Sequence, residues 1–250
     1  MILIFAIVSC NNFEIIPSYE KYILNGIELN YRVLYPKDFD KSKKYPLVLF
    51  LHGIGERGSD NKKQLTYVDE VFLDPKIYKN FPSVVVFPQA PMSDSWSSRI
   101  IKKNKIKYIF PKNNSPTNSL NMVMKLMDSI VKEDFINSNR VHLTGLSNGA
   151  MGSFELLKHR PDMFASAVLI CGGGNPKWAK NFAKKTSVWI AHGSDDKVVN
   201  PSFSMNMAQA IIDQGGNPKL TIYENVRHDS WLNVFKDPNY IPWMYSHIKN

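Results

Sequence analysis

Two cysteines in 250 residues are too few for a disulfide scaffold or for a zinc site built from four thiolates. No apolar run approaches the roughly 20 residues that a membrane-spanning helix requires, which excludes a polytopic membrane protein. Internal repeats, low-complexity tracts and domain-scale linkers are also missing. Acidic residues are in deficit, with 22 Asp and Glu against 31 Lys and Arg, a net charge of +9. That balance favours anionic partners, but the lysines are scattered and no nucleic-acid recognition module is present. The tightest run, Lys102, Lys103, Lys105 and Lys107, is interleaved with Ile100, Ile101, Ile106 and Ile109 and reads as a solvated surface. The 44% hydrophobic and 12% aromatic content is that of a folded globular chain of one domain or a small pair.

Residues 2–8 form a short apolar run that ends in Ile7-Val8-Ser9-Cys10 and is followed by Asn11-Asn12. This resembles the lipobox of a bacterial lipoprotein signal, in which the cysteine is acylated and becomes the first mature residue. No lysine or arginine precedes Cys10, a departure from the usual charged opening of a signal peptide. The expectation is a signal peptide over 1–9, a tether over 10–18 and a folded domain over 19–250. The protein is then extracytoplasmic and membrane-anchored, or secreted if Cys10 is not acylated. An acylated Cys10 leaves Cys171 without an intramolecular partner.

The folded part opens with a β-hairpin signature. Tyr22-Ile23-Leu24 and an alternating arm over 27–35 flank Asn25-Gly26, a pair suited to the positive φ values of a two-residue turn. Short apolar runs then follow at 47–51, 84–87, 141–144, 167–170, 188–191 and 220–223. Such near-continuous runs predict strands buried on both faces, as in a parallel sheet covered by helices. Helices are expected within 61–79, 117–137, 148–159, 202–213 and 238–248. The least regular stretch, 92–116, follows a strand at the ligand-facing edge of such a sheet.

Gly145-Leu146-Ser147-Asn148-Gly149 matches G-x-S-x-G between a predicted strand and a predicted helix. In that context the pattern predicts a sharp, strained turn presenting a serine, with the helix N-terminus adding positive potential for an oxyanion. A serine hydroxyl needs a base, and the base an orienting acid. Asp195-Asp196 follows the strand at 188–191 and His228 follows the strand at 220–223. The acid loop also holds His192, which like His52 precedes a glycine at a strand end and reads as a backbone-bonding residue. Oxyanion donors are expected from the N–H of Asn148 and from the glycine-rich loop Leu51-His52-Gly53-Ile54-Gly55-Glu56-Arg57-Gly58, with Ile54 favoured and Gly55 second. No metal-ligand spacing such as H-x-x-x-H or C-x-x-C occurs, so neither metal nor cofactor is expected.

With these elements in order, the chain resembles an α/β-hydrolase: a mostly parallel central sheet with an N-terminal antiparallel hairpin and helices on both faces. More narrowly it is similar to bacterial lipoprotein-type esterases related to dienelactone hydrolases, feruloyl esterases and the peptidase-like group near prolyl oligopeptidases. The stretches 51–61, Pro88-Gln89-Ala90-Pro91 with Trp96, and His228-Asp229-Ser230-Trp231 carry that likeness. Position 148 departs from it, being Asn where relatives commonly have Met or Gln. Ala90 stands where cysteine is frequent. The resemblance implies a triad of Ser147, Asp196 and His228, since H-G-x-x-D counted from His192 selects Asp196 over Asp195. It further implies hydrolysis of short or aromatic acyl esters on small molecules or polysaccharide, with Trp96 and Trp231 as substrate-contacting aromatics. The alternatives are a serine peptidase of prolyl-oligopeptidase type, or a carbohydrate-binding lipoprotein that keeps the fold without catalysis.

If Cys10 carries acyl chains, two or more of them suffice for stable anchoring. Full-length protein from its native host then partitions into detergent, and Cys10→Ser moves it to the aqueous phase. An unmodified N-terminus by mass spectrometry would refute the anchor.

Overall fold

The computed structural model describes residues 17–24, 26–68, 71–102 and 107–249. Cys10 and the run before it, Asn25 of the expected turn, and Lys103 and Lys105 lie outside them.

Ten strands are present among the described residues: β1 (Ser18–Leu24), β2 (Ile27–Leu34), β3 (Tyr45–Leu51), β4 (Val84–Gln89), β5 (Ile100–Lys102), β6 (Lys107–Ile109), β7 (Ile136–Leu146), β8 (Ser166–Ile170), β9 (Ser187–Gly193) and β10 (Lys219–Tyr223). Eight of them form one sheet in the order β1-β2-β4-β3-β7-β8-β9-β10. The β1–β2 hairpin is antiparallel and β2 joins β4 antiparallel, while every pairing from β4 across to β10 is parallel. β1 begins at Ser18, one residue inside the stretch expected to be tether.

The apolar runs are continuous because both sheet faces are covered. Side chains alternate across a strand, so Leu47, Leu49 and Leu51 enter one core while Val48 and Phe50 enter the other. The same division separates Val84 and Val86 from Val85 and Phe87, and Val188 and Ile190 from Trp189 and Ala191. β10 is an exception: as the edge strand it is only half-buried, and Leu220 is exposed.

The helices are α1 (Pro75–Asn80), α2 (Asn118–Ile130), α3 (Asn148–His159), α4 (Ala179–Phe182), α5 (Ser202–Asp213), α6 (Trp231–Lys236) and α7 (Tyr240–Tyr245). Those expected at 148–159 and 202–213 match α3 and α5. The expected helix over 61–79 is instead a single 3-10 turn at Lys63–Leu65 and the short α1. Asp74 ends the preceding loop by accepting hydrogen bonds from the N–H groups of Lys76 and Ile77, with Pro75 at the first helical position. The 117–137 helix stops at Ile130 because the chain turns into β7, whose polar start, Asn137-Ser138-Asn139, carries no core-facing period. The Ile/Lys stretch expected to be plain surface folds as the small β5–β6 hairpin, with Ile100 and Ile101 exposed.

The connection from β7 to α3 is the tightest in the fold. A Cβ at Gly149 would stand 1.9 Å from the carbonyl oxygen of Leu51, and one at Gly145 would stand 2.8 Å from the Gly149 carbonyl group. These glycines are required by close packing of backbone on backbone. Gly149→Ala should therefore cost about 3 kcal/mol or more in chemical denaturation, as overpacking against an unyielding backbone does. A Cβ at Gly55 meets nothing within 4 Å, and Gly55→Ala should stay within about 0.5 kcal/mol of the parent.

Candidate active site

Ser147 sits between the end of β7 and the start of α3 with φ +53° and ψ −115°. A non-glycine residue with such a backbone is strained, and neighbouring structure holds it there. The Ser147 N–H donates to the carbonyl of Ile170 at the end of β8 (2.8 Å), and the Ser147 carbonyl accepts from Met151 N–H (3.0 Å).

Three loops at the carboxyl edge of the sheet bring Ser147, His228 and Asp196 together. The Ser147 Oγ–H donates to His228 Nε2 at 2.9 Å, and His228 Nδ1–H donates to Asp196 Oδ2 at 2.6 Å. The carboxylate can only accept, which fixes the proton on Nδ1 and leaves Nε2 free to take one. Asp196 is buried, and its Oδ1 accepts from the N–H groups of Val198 (2.8 Å) and Val199 (2.9 Å). Burial opposes its charge, but the hydrogen bonds from His192, His228 and the Val199 N–H outweigh burial and hold it well below the ordinary carboxylate range. Asp195 is exposed and takes only a bond from Ser194 Oγ. It does not reach the histidine.

His192 belongs to this cluster, which its position before a glycine did not reveal. It does bond backbone, through Nε2–H to the carbonyl of Val199 (2.9 Å), but the same N–H also reaches Asp196 Oδ2 at 3.0 Å. Its Nδ1 meets Ser204 Oγ at 2.7 Å from α5. One carboxylate oxygen thus serves two imidazoles.

The glycine-rich loop forms a 3-10 turn at Ile54–Glu56. Ile54 N–H and Asn148 N–H both stand at the first position of a helical turn, where no intrahelical acceptor exists. His52 sets the first of these. Its Nδ1–H donates to the carbonyl of Gly53 at 2.6 Å, and its Nε2 accepts from Ala90 N–H at 3.1 Å. Because a trans peptide points its C=O and N–H in opposite directions, pinning the Gly53 carbonyl turns Ile54 N–H the other way. Burial lowers the His52 pKa to about 4, so the ring stays neutral and keeps this tautomer.

Trp96 does not offer a face to substrate as expected. It is fully buried, with its indole N–H donating to the carbonyl of His52 (3.0 Å) and its backbone N–H to Asn148 Oδ1 (3.2 Å). The ring is too apolar to leave in water when a slot lies open between the oxyanion loop and α3. A Cβ at Gly152 would stand 2.4 Å from Trp96 Cβ. Trp96 is a strut joining the two backbones that carry Ile54 and Asn148. Trp231, half-buried, packs edge-on against His228 with ring centres 5.5 Å apart and against Tyr67 at 5.5 Å.

Two further locks were not anticipated. Buried Gln89 accepts from Asn61 N–H (2.7 Å) and donates to the Glu56 carbonyl (3.1 Å) and to Asp60 Oδ1 (2.8 Å), tying the far end of the glycine-rich loop to β4. Fully buried Glu155 on α3 accepts from Ser98 N–H and Oγ–H (both 3.0 Å) and from the side chain of Asn114, fastening both ends of the 92–116 loop. Paired spacing of Gln with Gly-Ser-Asp-Asn is the signal that could have found the first. Among the described residues no three His, Cys, Asp or Glu side chains group to hold a metal ion.

This arrangement can move a proton from a serine hydroxyl to an imidazole backed by a carboxylate, beside two free backbone N–H groups. The family described as phospholipase/carboxylesterase matches over residues 39–240. Esterase YpfH of Escherichia coli (strain K12) is 28% identical over 97 residues, which are 39% of this chain and 41% of that protein. A crystal structure of a thermostable esterase superposes with a TM-score of 0.83 at 30% identity, over 93% of this chain and 63% of the other. A ferulic acid esterase structure superposes with a TM-score of 0.62 at 15% identity, over 92% of this chain and 97% of the other, a likeness of fold alone. The matched regions thus span less than two thirds of YpfH and of the thermostable esterase. By its match over residues 39–240 and its sheet order, the chain belongs to the phospholipase/carboxylesterase family of α/β-hydrolases.

Proposed function

We propose that this protein is a serine carboxylic-ester hydrolase working through an acyl-enzyme. The observation that carries the reading is the unbroken chain of hydrogen bonds from Ser147 Oγ through His228 to Asp196, on a serine held at positive φ. The Ser147 oxygen attacks the ester carbonyl carbon while its proton passes to His228 Nε2. The carbonyl oxygen takes the negative charge, towards Asn148 N–H and Ile54 N–H. Collapse breaks the bond to the leaving alcohol, which receives the proton from His228. Water then repeats the sequence on the acyl-enzyme, freeing the acid and restoring Ser147. Asp196 stays ionised throughout and stabilises the imidazolium.

Short or aromatic acyl esters of small molecules or carbohydrates are the proposed substrates, supported by the names of the thermostable esterase and ferulic acid esterase neighbours. Trp231 beside His228 is the proposed aromatic contact. An acyl anchor at Cys10 would hold the enzyme at an extracytoplasmic membrane face.

A fluorophosphonate probe should label Ser147, with para-nitrophenyl acetate turned over and a peptide para-nitroanilide left intact. Preference for the anilide would make it a peptidase, and no labelling would leave a binding protein. Ser147→Ala should lower kcat by roughly 10⁶ with an unchanged melting temperature; activity within tenfold of the parent would sink the mechanism.

The acid is assigned by a second comparison. Asp196→Asn should lower kcat by about 10⁴ by favouring the wrong imidazole tautomer. Asp195→Asn, at a solvated position, should leave kcat within about twofold. The reverse pattern would reassign the acid.

A further inference from the structure

Two arginines close enough to repel one another, Arg57 and Arg99, are held by the segments that carry Ile54 and Trp96, and among the described residues neither is paired with a carboxylate. Arg57 is tied to backbone: Nε–H donates to the carbonyl of Ile54 (2.9 Å), and Nη1 to those of Met92 (3.0 Å) and Asp94 (3.1 Å). Arg99 is not. Among the described residues its side chain makes one hydrogen bond, a long contact from Nη1 to Ser95 Oγ at 3.5 Å, and its Nε is buried with no acceptor. The ion pairs among the described residues include neither side chain.

A half-buried guanidinium whose Nε is shut off from water is costly unless an anion or further acceptors meet it. Burial lowers the Arg99 pKa, the ring of Tyr108 partly offsets this, and repulsion from Arg57 adds to the lowering. The two carboxylates carried nearby cannot help. Asp94 Oδ2 is taken by Ser119 N–H (2.7 Å) and Oγ–H (2.8 Å), and its Oδ1 by Ser95 N–H. Glu155 is taken by Ser97, Ser98 and Asn114.

The surroundings hold the unpaired group at the reaction edge. Its guanidinium lies over the ring of Tyr108, 5.6 Å from the centroid. Tyr108 packs on Phe203 (6.1 Å), and Phe203 stands against Gly173, just beyond the end of β8, the strand that pairs with β7, after which Ser147 follows. The 95–99 segment touches Asn148 through Trp96, and Arg57 grips Ile54, so both oxyanion candidates adjoin the pair. Stacking on the tyrosine fixes the guanidinium plane and leaves its edge donors for a ligand. That planar fork is matched to the two oxygens of a carboxylate.

We infer that Arg99, with Arg57 adding its charge, forms a subsite for a carboxylate carried by the ester substrate, in its acyl or its alcohol part. Esters of acidic sugars and half-esters of dicarboxylic acids are the chemical classes that fit. The inference rests on the esterase reading above.

Two substrate pairs differing by one carboxylate test it: 4-acetoxybenzoate with its methyl ester for the alcohol side, and mono-4-nitrophenyl adipate with 4-nitrophenyl hexanoate for the acyl side. The parent should favour the anionic member of at least one pair in kcat/KM. Arg99→Gln should lower that anionic-to-neutral ratio about tenfold or more, the loss expected when a charged hydrogen bond is removed, and Arg99→Lys should restore part of it. Calorimetry with 4-acetamidobenzoate, a non-ester analogue, gives a readout free of turnover; binding that weakens in Arg99→Gln supports the subsite. Inorganic phosphate should bind more weakly than 4-acetamidobenzoate. Equal or tighter phosphate binding would make the pair a site for free anions. Ratios near one in both pairs, or unchanged in Arg99→Gln, with neutral esters turned over, would overturn the subsite and leave the esterase reading standing. No turnover of any ester would strike that reading instead.

Discussion

Backbone lies so close to backbone between β3 and α3 that position 149 has no room for a side chain. Everything at the candidate site follows from that approach. It brings the N-terminus of α3 against the end of β3, where the glycine-rich loop departs, so the two segments bearing Ile54 and Asn148 are neighbours by construction. It also forces the chain to leave β7 through a left-handed residue, at a cost of about 1–3 kcal/mol. The next strand repeats the device: Cys171, after β8, has φ +45° and donates its N–H to Ala191, as Ser147 donates to Ile170. Each strained turn is pinned by a carbonyl near the end of the neighbouring strand, Ile170 in β8 and Ala191 in β9. The sheet supplies rigidity and the turns spend it.

Electrostatics completes what packing begins. Asp196 is taken out of water, which alone would favour its neutral form, and is then given four donors: two backbone N–H groups and two imidazoles. One imidazole, His228, faces the serine and is partly exposed; the other, His192, is fully buried and is tied to α5 through Ser204. The carboxylate is thereby fixed from both sides of its loop, and His228 gains an orienter that cannot rotate away. His52 does the analogous work for the glycine-rich loop, and its depressed pKa keeps it a neutral donor–acceptor rather than a second positive charge.

Much of this was legible in the amino-acid order. Strands declared themselves because burial on both faces makes them continuously apolar, and the turn at Ser147 did so because its two glycines are sterically compelled. Ser, Asp and His follow one another at successive strand ends, so the topology that orders the strands also gathers the residues. What escaped reading depends on contacts that the pattern of residue types does not display. Trp96 looked like a surface aromatic because a loop has no period to show which side is buried. The partner of His192 is four residues away on a turn whose shape is set by Val198 and Val199. The segment at 61–79 held enough apolar residues for a helix, but Asp74-Pro75 and the bonds of Asn61 to Gln89 and β2 divide it.

Glu155 gives the molecule a division of labour. A buried carboxylate that grips Ser97 and Ser98 on one side and Asn114 on the other closes the 92–116 excursion at its base. Loop-closure entropy grows only slowly with length, so exposed positions between those anchors, such as Ile100 and Ile101, can be exchanged at small energetic expense, whereas buried Phe110 cannot. Trp96, which bridges His52 and Asn148, lies outside the clamp and is insulated from such changes. Exposed positions of the excursion can therefore change while the hydrogen-bonded cluster of Ser147, His228 and Asp196 stays as it is.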